Sequence, residues 1–267
     1  MKKNIDIKLN TDKLNGIFRG VVELNVDPLK LGRVKVRVWG VHTDLKVKNN
    51  YEGVPTDDLP WAEQACSITE GSVSGYGLWS IPLQGSHVFV FFENGDHRKP
   101  VYFATVPGIP ENAPDGDEGF NDPDEVYPTS DTLGEPDLHR LSREISDDTI
   151  VDTKTSNRDI GVTTVNNGSW DEPEPYYDAE YPHNIVFATH GGLIYEIDST
   201  PGSRRFHLYH PSNTYIEINE AGEVVISNAS NKYEVVVGNK KVHVKGVYDI
   251  TVDGNCSIKA KNIYLNP

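Results

Sequence analysis

The sequence lacks the features of a membrane-spanning, secreted or disulfide-rich chain. No run of 18 apolar residues occurs, which predicts no membrane-spanning helix, and the lysine-containing start has no apolar stretch of the kind found in secretory signals. The two cysteines, Cys66 and Cys256, are far apart in the sequence and lack the spacing of a zinc site or a disulfide framework. We therefore expect assembly in a reducing cytoplasm.

Common catalytic signatures are also missing. The sequence contains no G-x-S-x-G, H-E-x-x-H or P-loop motif, which excludes the usual hydrolase and NTPase patterns. Among the histidines, His207 and His210 fall on opposite faces of a predicted strand, and His183 and His190 also lie in strand-like sequence. The sequence therefore predicts no metal site and no cofactor.

Basic residues are scarce, and the acidic residues are unevenly placed. The net charge is −15, and residues 111–185 hold all of the excess acid. This segment is also rich in proline, glycine, asparagine and serine. Such a composition buries little apolar surface, so residues 109–184 are predicted to form an extended, solvated linker.

Three glycines near the C-terminus, Gly238, Gly246 and Gly254, fall eight residues apart. β-Branched residues keep the same period, two before or four after a glycine: Val236, Val242, Val244, Ile250, Val252 and Ile258. Alternation within each octad predicts a short β unit that bends at its glycine. Such a thin unit cannot bury a face alone, so we expect several copies to wind together around these side chains. An ordinary β-meander with coincidental glycines is the alternative.

The N-terminal part has the pattern of a small β-barrel. Residues 32–41 alternate valines with basic side chains, and residues 87–92 form a buried strand that ends at the turn signal Asn94-Gly95. A returning strand follows over residues 99–106. About five strands between residues 16 and 108 predict a Greek-key barrel of the OB type.

The basic row of this barrel, Arg33, Lys35 and Arg37, lies close to Trp39 in the sequence. OB barrels often bind single-stranded nucleic acid through such groups, but a near-neutral domain lacks the electrostatic footprint of that function. We therefore predict no nucleic-acid binding. The row is expected to contact an acidic partner surface or neighbouring subunits.

Several motifs, taken in order, resemble a known family. DPLKLGRVKVRVWGVHT, LPWAE and IPLQGSHVFVFFENGDHRKPVYFATVPG resemble the N-terminal OB domain of phage tail central-spike proteins and of the valine-glycine repeat spikes of type VI secretion. Residues 180–228 resemble the start of the trimeric β-helix of T-even phage spikes, and the octads resemble their needle. The resemblance implies an all-β chain: an N-terminal extension (1–15), an OB-type barrel that binds a hub (16–108), a linker (109–184) and an intertwined trimeric β-helix (185–267).

The same resemblance implies a homotrimeric, cell-puncturing spike of the virion tail baseplate. It would sit on a separate trimeric hub protein and cross the host outer membrane on sheath contraction. Hub contacts are expected in two barrel loops, at Asp27, Leu29, Lys30, Asn94, His97 and Arg98. A PAAR-type tip protein is expected at Ile263, Tyr264, Leu265 and Pro267, with a frayed terminus as the alternative.

T-even spikes carry a lysozyme domain between barrel and needle, for which the interval in this chain is too short. Asp117, Glu118, Asp131 and Thr132 could supply carboxylates and a hydroxyl group, but no apolar sequence surrounds them to raise a pKa or fix a distance. The chain is therefore predicted not to be an enzyme. A spike with peptidoglycan-hydrolase activity and a spike of a phage-like injection or secretion particle are the alternatives.

Overall fold

The structure is a computed structural model that describes residues 14–43, 53–67, 79–109, 134–145, 176–252 and 254–265. The chain divides into two compact units, Met1–Asp137 and Leu138–Pro267. The regular structure within the described ranges is almost entirely β-strand, which confirms the all-β prediction. None of the helices in these ranges is long and apolar enough to cross a lipid bilayer.

The first unit contains a closed five-stranded barrel. Its strands are β1 (Phe18–Leu24), β2 (Val34–Val38), β3 (Trp61–Gln64), β4 (His87–Phe92) and β5 (Pro100–Thr105). The strand order is β1-β2-β3-β5-β4, with β4 returning to β1 and β3 running parallel to β5. This arrangement confirms the predicted OB-type barrel.

Alternating valines fill the barrel. Val22, Val34, Val38, Val88 and Val90 are completely buried, and Phe92 and Tyr102 complete the cluster. Outward-pointing residues alternate with these along β4, as the period of two requires. Within the described parts of the connections lie two 3-10 helices, η1 (Thr56–Asp58) and η2 (Glu93–Gly95). The second forms the β4–β5 hairpin that Asn94-Gly95 predicted.

The second unit contains a five-stranded antiparallel meander. Its strands are β6 (Asn184–Ala188), β7 (Ile194–Asp198), β8 (Arg205–His210), β9 (Thr214–Ile218) and β10 (Val224–Ser227), in the order β10-β9-β8-β7-β6. Four tight turns join the strands, each with a residue at positive φ: Gly192, Gly202, Asn213 and Gly222.

Part of the predicted linker packs against this meander. A 3-10 helix, η3 (Arg140–Arg143), inserts Leu141, which is completely buried beside Ile194 and Tyr209. The hydroxyl group of Tyr177 donates a hydrogen bond of 2.8 Å to the carbonyl oxygen of Leu141. The prediction of an extended, solvated linker is therefore wrong for these residues, because one leucine and one tyrosine supply contacts that the average composition concealed.

Candidate functional site

The first predicted contact loop of the barrel is held by one carboxylate. Asp27 accepts hydrogen bonds of 2.9 Å from the backbone N–H groups of Leu29 and Leu31 and a two-pronged ion pair from Arg33 at 3.0 and 2.7 Å. The hydrogen bond from Arg33 is the main reason that the pKa of Asp27 lies well below its usual range. The Asp27 side chain is only 2% exposed, so it shapes the loop from inside rather than presenting itself to a partner.

This loop presents two leucines to solvent. Leu29 is 64% exposed and Leu31 is 56% exposed. The hydroxyl group of Tyr102 donates to the carbonyl oxygen of Gly32 at 2.7 Å, which ties the end of the loop to the barrel. Leu31 lies at the end of the predicted contact loop, which spans Asp27–Leu31. Exposed apolar side chains on a fixed loop are suited to recognition.

The second predicted contact loop joins β4 to β5. Asn94 and Gly95 adopt positive φ, which the turn requires. The guanidinium group of Arg98 contacts the Asp96 carboxylate at 3.0 Å, and the hydrogen bond between them is the main cause of a lowered Asp96 pKa. The side chains of His97 and Arg98 are more than 70% exposed. The loop therefore offers two nitrogen-bearing side chains at the surface.

The basic row on β2 is not a free surface. Arg37 is 1% exposed and forms an ion pair with buried Glu23, at 2.6 Å from Nε. The ammonium group of Lys35 donates to the carbonyl oxygen of Asp57 at 2.6 Å, and Arg33 is paired as described above. The prediction that this row contacts a partner is therefore wrong, because folding directs these cations to internal acceptors. Because these three cations are paired within the fold, they are also not available to bind nucleic acid.

One face of the meander is covered and carries a charged network. The guanidinium group of Arg205 bridges the carboxylates of Glu196 and Glu217, the latter at 3.1 Å. Nδ1 of His207 lies 3.4 Å from Glu196, and the Asn184 side chain donates to Glu196 at 2.8 Å. All five residues are at most 7% exposed.

Glu196 remains ionised in this network. Burial would raise its pKa, but the hydrogen bond from His207, the charge of Arg205 and the hydrogen bond from Asn184 together hold the pKa at about 2. Sequence reasoning missed the network, although charged residues two apart on successive strands signalled a polar face. The predicted separation of the histidines is confirmed, since His207 is buried and His210 is exposed.

The other face of the meander is open and apolar. Two rows of cross-strand neighbours run over all five strands. The rows are Phe187, Tyr195, Leu208, Ile216 and Ile226, and Ile185, Ile197, Phe206, Ile218 and Val224. Eight of these side chains are 36–60% exposed. The sheet thus buries its charges and exposes its apolar residues, which is the reverse of an ordinary surface sheet.

The octads form no strand within the described part of the single chain. The predicted core residues of the octads are all exposed, from 39% at Val252 to 71% at Ile258. An added Cβ at Gly238, Gly246 or Gly254 would meet no atom within 4 Å. These side chains are therefore uncovered in the single chain, and their role as a trimer core stays a prediction.

The remaining predicted residues fall into two groups. Ile263, Tyr264 and Leu265 are 55–86% exposed, whereas Pro267 lies outside the described residues. The hydrolase candidates also lie outside the described residues: Asp117, Glu118, Asp131 and Thr132. Within the described ranges, no group of three or more histidine, cysteine or carboxylate side chains could hold a metal ion.

Comparison with known proteins places these features in a family. The family profile described as the Gp5 N-terminal OB domain matches residues 40–183. Protein Gp5 of Vibrio phage KVP40 is 35% identical over 270 residues, covering 90% of this chain and 64% of that protein. The pre-baseplate central spike protein Gp5 of Enterobacteria phage T4 is 40% identical over 112 residues, covering 42% of this chain and 20% of that protein. The chain spans less than two thirds of the length of these relatives.

Proposed function

The chain belongs to the Gp5 N-terminal OB domain family, and from this premise we propose that it is a structural central spike of a phage tail baseplate. One relative is named a pre-baseplate central spike protein, and another is a phage Gp5. The proposed role is mechanical: a rigid trimeric needle transmits the force of sheath contraction to the host outer membrane.

The open apolar face of the meander is the observation that carries this proposal. Eight exposed apolar side chains in two adjacent rows form a contiguous patch of the kind that marks an interaction surface. We propose that a second and a third copy of the chain cover this face, because each copy presents the same apolar face. The charged network cannot serve as this interface, since its own unit already buries it.

The octads extend the same assembly. Each copy would supply one strand per face of a triangular prism, with Val244, Ile250 and Val252 among the side chains that point inward. Winding closes the strands against one another, so backbone groups that lack partners in one chain become paired and no sheet edge stays open. A continuous hydrogen-bonded ladder of this kind is suited to bearing load.

The barrel is the proposed seat on a trimeric hub protein. Leu29 and Lys30 on the first loop and His97 and Arg98 on the second supply apolar and basic contacts on fixed backbones. Leu29→Asp should reduce recruitment of the purified trimer to the hub. Thr105→Asp adds the same charge at another exposed barrel position and should leave recruitment unchanged.

The exposed residues Ile263, Tyr264 and Leu265 are the proposed seat of a PAAR-type tip protein. Three copies of this segment would form a small apolar platform, which a capping protein could cover. Tyr264→Asp should release the tip protein from particles while the trimer persists. Retention of the tip protein by the variant would contradict this contact.

The mass of the purified full chain tests the proposal. We expect three times the chain mass of 29.7 kDa in native buffer. Leu208→Asp, which places a charge in the middle of the open face, should weaken the trimer, whereas His190→Asp in an exposed turn of the same sheet should not. A folded monomer of the unaltered chain would contradict the proposed assembly.

Peptidoglycan hydrolysis is the competing function, and the proposed spike has no enzymatic role. Its candidate residues lie outside the described residues. Turbidity of a purified murein suspension should stay constant on addition of the protein. Clearing that disappears in Glu118→Gln would establish the hydrolase instead.

A further inference from the structure

The octads carry a second periodic feature, which concerns charge rather than apolarity. Octads are counted from residues 232, 240, 248 and 256. The apolar stripe lies at the fifth position of the first octad, at the third and fifth positions of the next two and at the third position of the last, and the seventh position holds the glycine in the first three. The second position holds Lys241 and then Asp249. At the sixth position, Lys245 and Lys261 precede and follow Asp253, which itself lies outside the described residues. Charge therefore changes sign from one octad to the next.

Within the part of the chain that the structure describes, the two charged residues at the second position have no electrostatic partner. Lys241 and Asp249 are exposed, and neither contacts an oppositely charged group among the described residues. Lys240 behaves differently, because its ammonium group contacts the Glu234 carboxylate at 2.5 Å and lowers the pKa of Glu234. The charges at the second position are thus available to another chain.

The symmetry of the proposed prism fixes which residues meet. Three identical chains related by a threefold axis place the same octad on all three faces at one level. Each chain passes to the adjacent face of the prism at its glycine. On any one face, therefore, the octad at the next level belongs to a neighbouring chain and is one repeat further along the sequence. Because Gly238, Gly246 and Gly254 must align along the corners, equal positions of successive octads stack at the strand spacing of about 4.8 Å.

We propose that Lys241 of one copy and Asp249 of the next form interchain ion pairs that set the register of the trimeric needle. These ion pairs rest on the proposed spike function, and the partner in each of them is another copy of this chain. The apolar stripe alone does not fix register well, since sliding by a whole octad keeps valine and isoleucine over valine and isoleucine. Opposite charges one octad apart penalise such a slip, because it leaves these charges without their partners.

Charge reversal in the full-length protein tests the pairing. We expect the unaltered trimer to resist SDS without heating. Lys241→Asp and Asp249→Lys each place like charges at three interchain contacts, so each should lower the temperature at which this trimer dissociates. The double variant, Lys241→Asp with Asp249→Lys, restores opposite charges and should regain most of the loss. Lys259→Asp is the matched control, because its stacked neighbour is the uncharged Thr251, and it should change the temperature little.

The experiment distinguishes failure of the ion pairs from failure of the proposed function. Rescue by the double variant, weakened in high salt because exposed charges are screened, would support the ion pairs. If the double variant is only as stable as the sum of the two single effects predicts, the ion pairs are overturned. This holds even if all variants remain trimeric. A wild-type chain that is monomeric would instead contradict the spike assembly itself.

Discussion

Single charged residues organise both units from the inside. Glu23 and Arg37 pair within the barrel, and Glu196 and Arg205 pair beneath the meander, each with at most 3% exposure. Burying a charge without a partner is strongly unfavourable, so each pair fixes the position of the strands that carry it. Arg37, which the sequence offers as a surface contact, is therefore structural.

Removing one charge of the barrel pair should destabilise the first unit. Glu23→Gln leaves Arg37 buried without a counter-charge, and we expect a loss of about 3 kcal/mol in the free energy of unfolding, the scale measured for broken buried pairs. Denaturant unfolding followed by tryptophan fluorescence measures the change. Asp96→Asn removes an exposed ion pair and should have little effect; equal losses in both variants would contradict this interpretation.

The low pKa of Glu196 predicts a loss of stability in acid. Folding lowers this pKa from 4.5 to about 2, so the contribution is complete above about pH 4.5 and disappears as the pH falls toward 2. Amide hydrogen exchange over residues 194–198 should accelerate in this window. Glu196→Gln has no carboxyl group to titrate, so its protection should depend less on pH; an identical pH dependence in both proteins would argue against Glu196.

At the scale of elements, close approach of β1 and β2 depends on a glycine. A Cβ at Gly20 would lie 2.6 Å from Cγ1 of Val36 and 2.7 Å from the carbonyl oxygen of Arg37. Because the second contact is backbone, it cannot be relieved by turning a side chain. The absence of a side chain at this position therefore allows the two strands to pair.

A methyl group at this position should disrupt the barrel. Gly20→Ala is expected to cost about 2 kcal/mol, the usual scale for overpacking a core. Gly191→Ala is a matched control, since its added Cβ would have its nearest neighbour at 3.9 Å. Thermal unfolding of both variants measures the difference, and equal stability would show that the strands can separate without penalty.

At the scale of the whole molecule, the two units differ in how much of their apolar surface they bury within one chain. The barrel buries its valines within one chain, whereas the meander and the octads leave theirs exposed. Stability of the second unit should therefore depend on association, because burial of these residues requires other copies. The net charge of −15 comes from residues 111–185 and does not oppose contacts made through the apolar faces of the meander and the octads.

A charge in the octad stripe should prevent assembly of the needle. Val244→Asp would bring three carboxylates together in a dry interior, and we expect the SDS-resistant trimer to be lost. Val235→Asp is the control, because alternation places Val235 on the outer surface, where it is 87% exposed in the single chain. Gel migration without heating distinguishes the variants; a stable Val244→Asp trimer would rule out an inward Val244.

The sequence alone determined the class of fold and the family. Period-two alternation marked the region of β2, a buried apolar run marked β4, and Asn94-Gly95 marked the hairpin, because these signals depend on local backbone geometry. The octad period identified the apolar stripe for the same reason. The predicted assembly contacts remain predictions, since they require partners that one chain does not contain.

Only the tertiary structure decided where the charges go. Asp27 and Arg37 have the residue types of surface contacts, yet both are buried. The fold pairs Asp27 with Arg33, six residues away, and Arg37 with buried Glu23, fourteen residues away. Likewise, alternation along β7 and β8 shows that one face is polar, but only the packing of Leu141 shows that the polar face is covered. Local patterns determine which residues share a face, whereas contacts distant in sequence determine which face meets water.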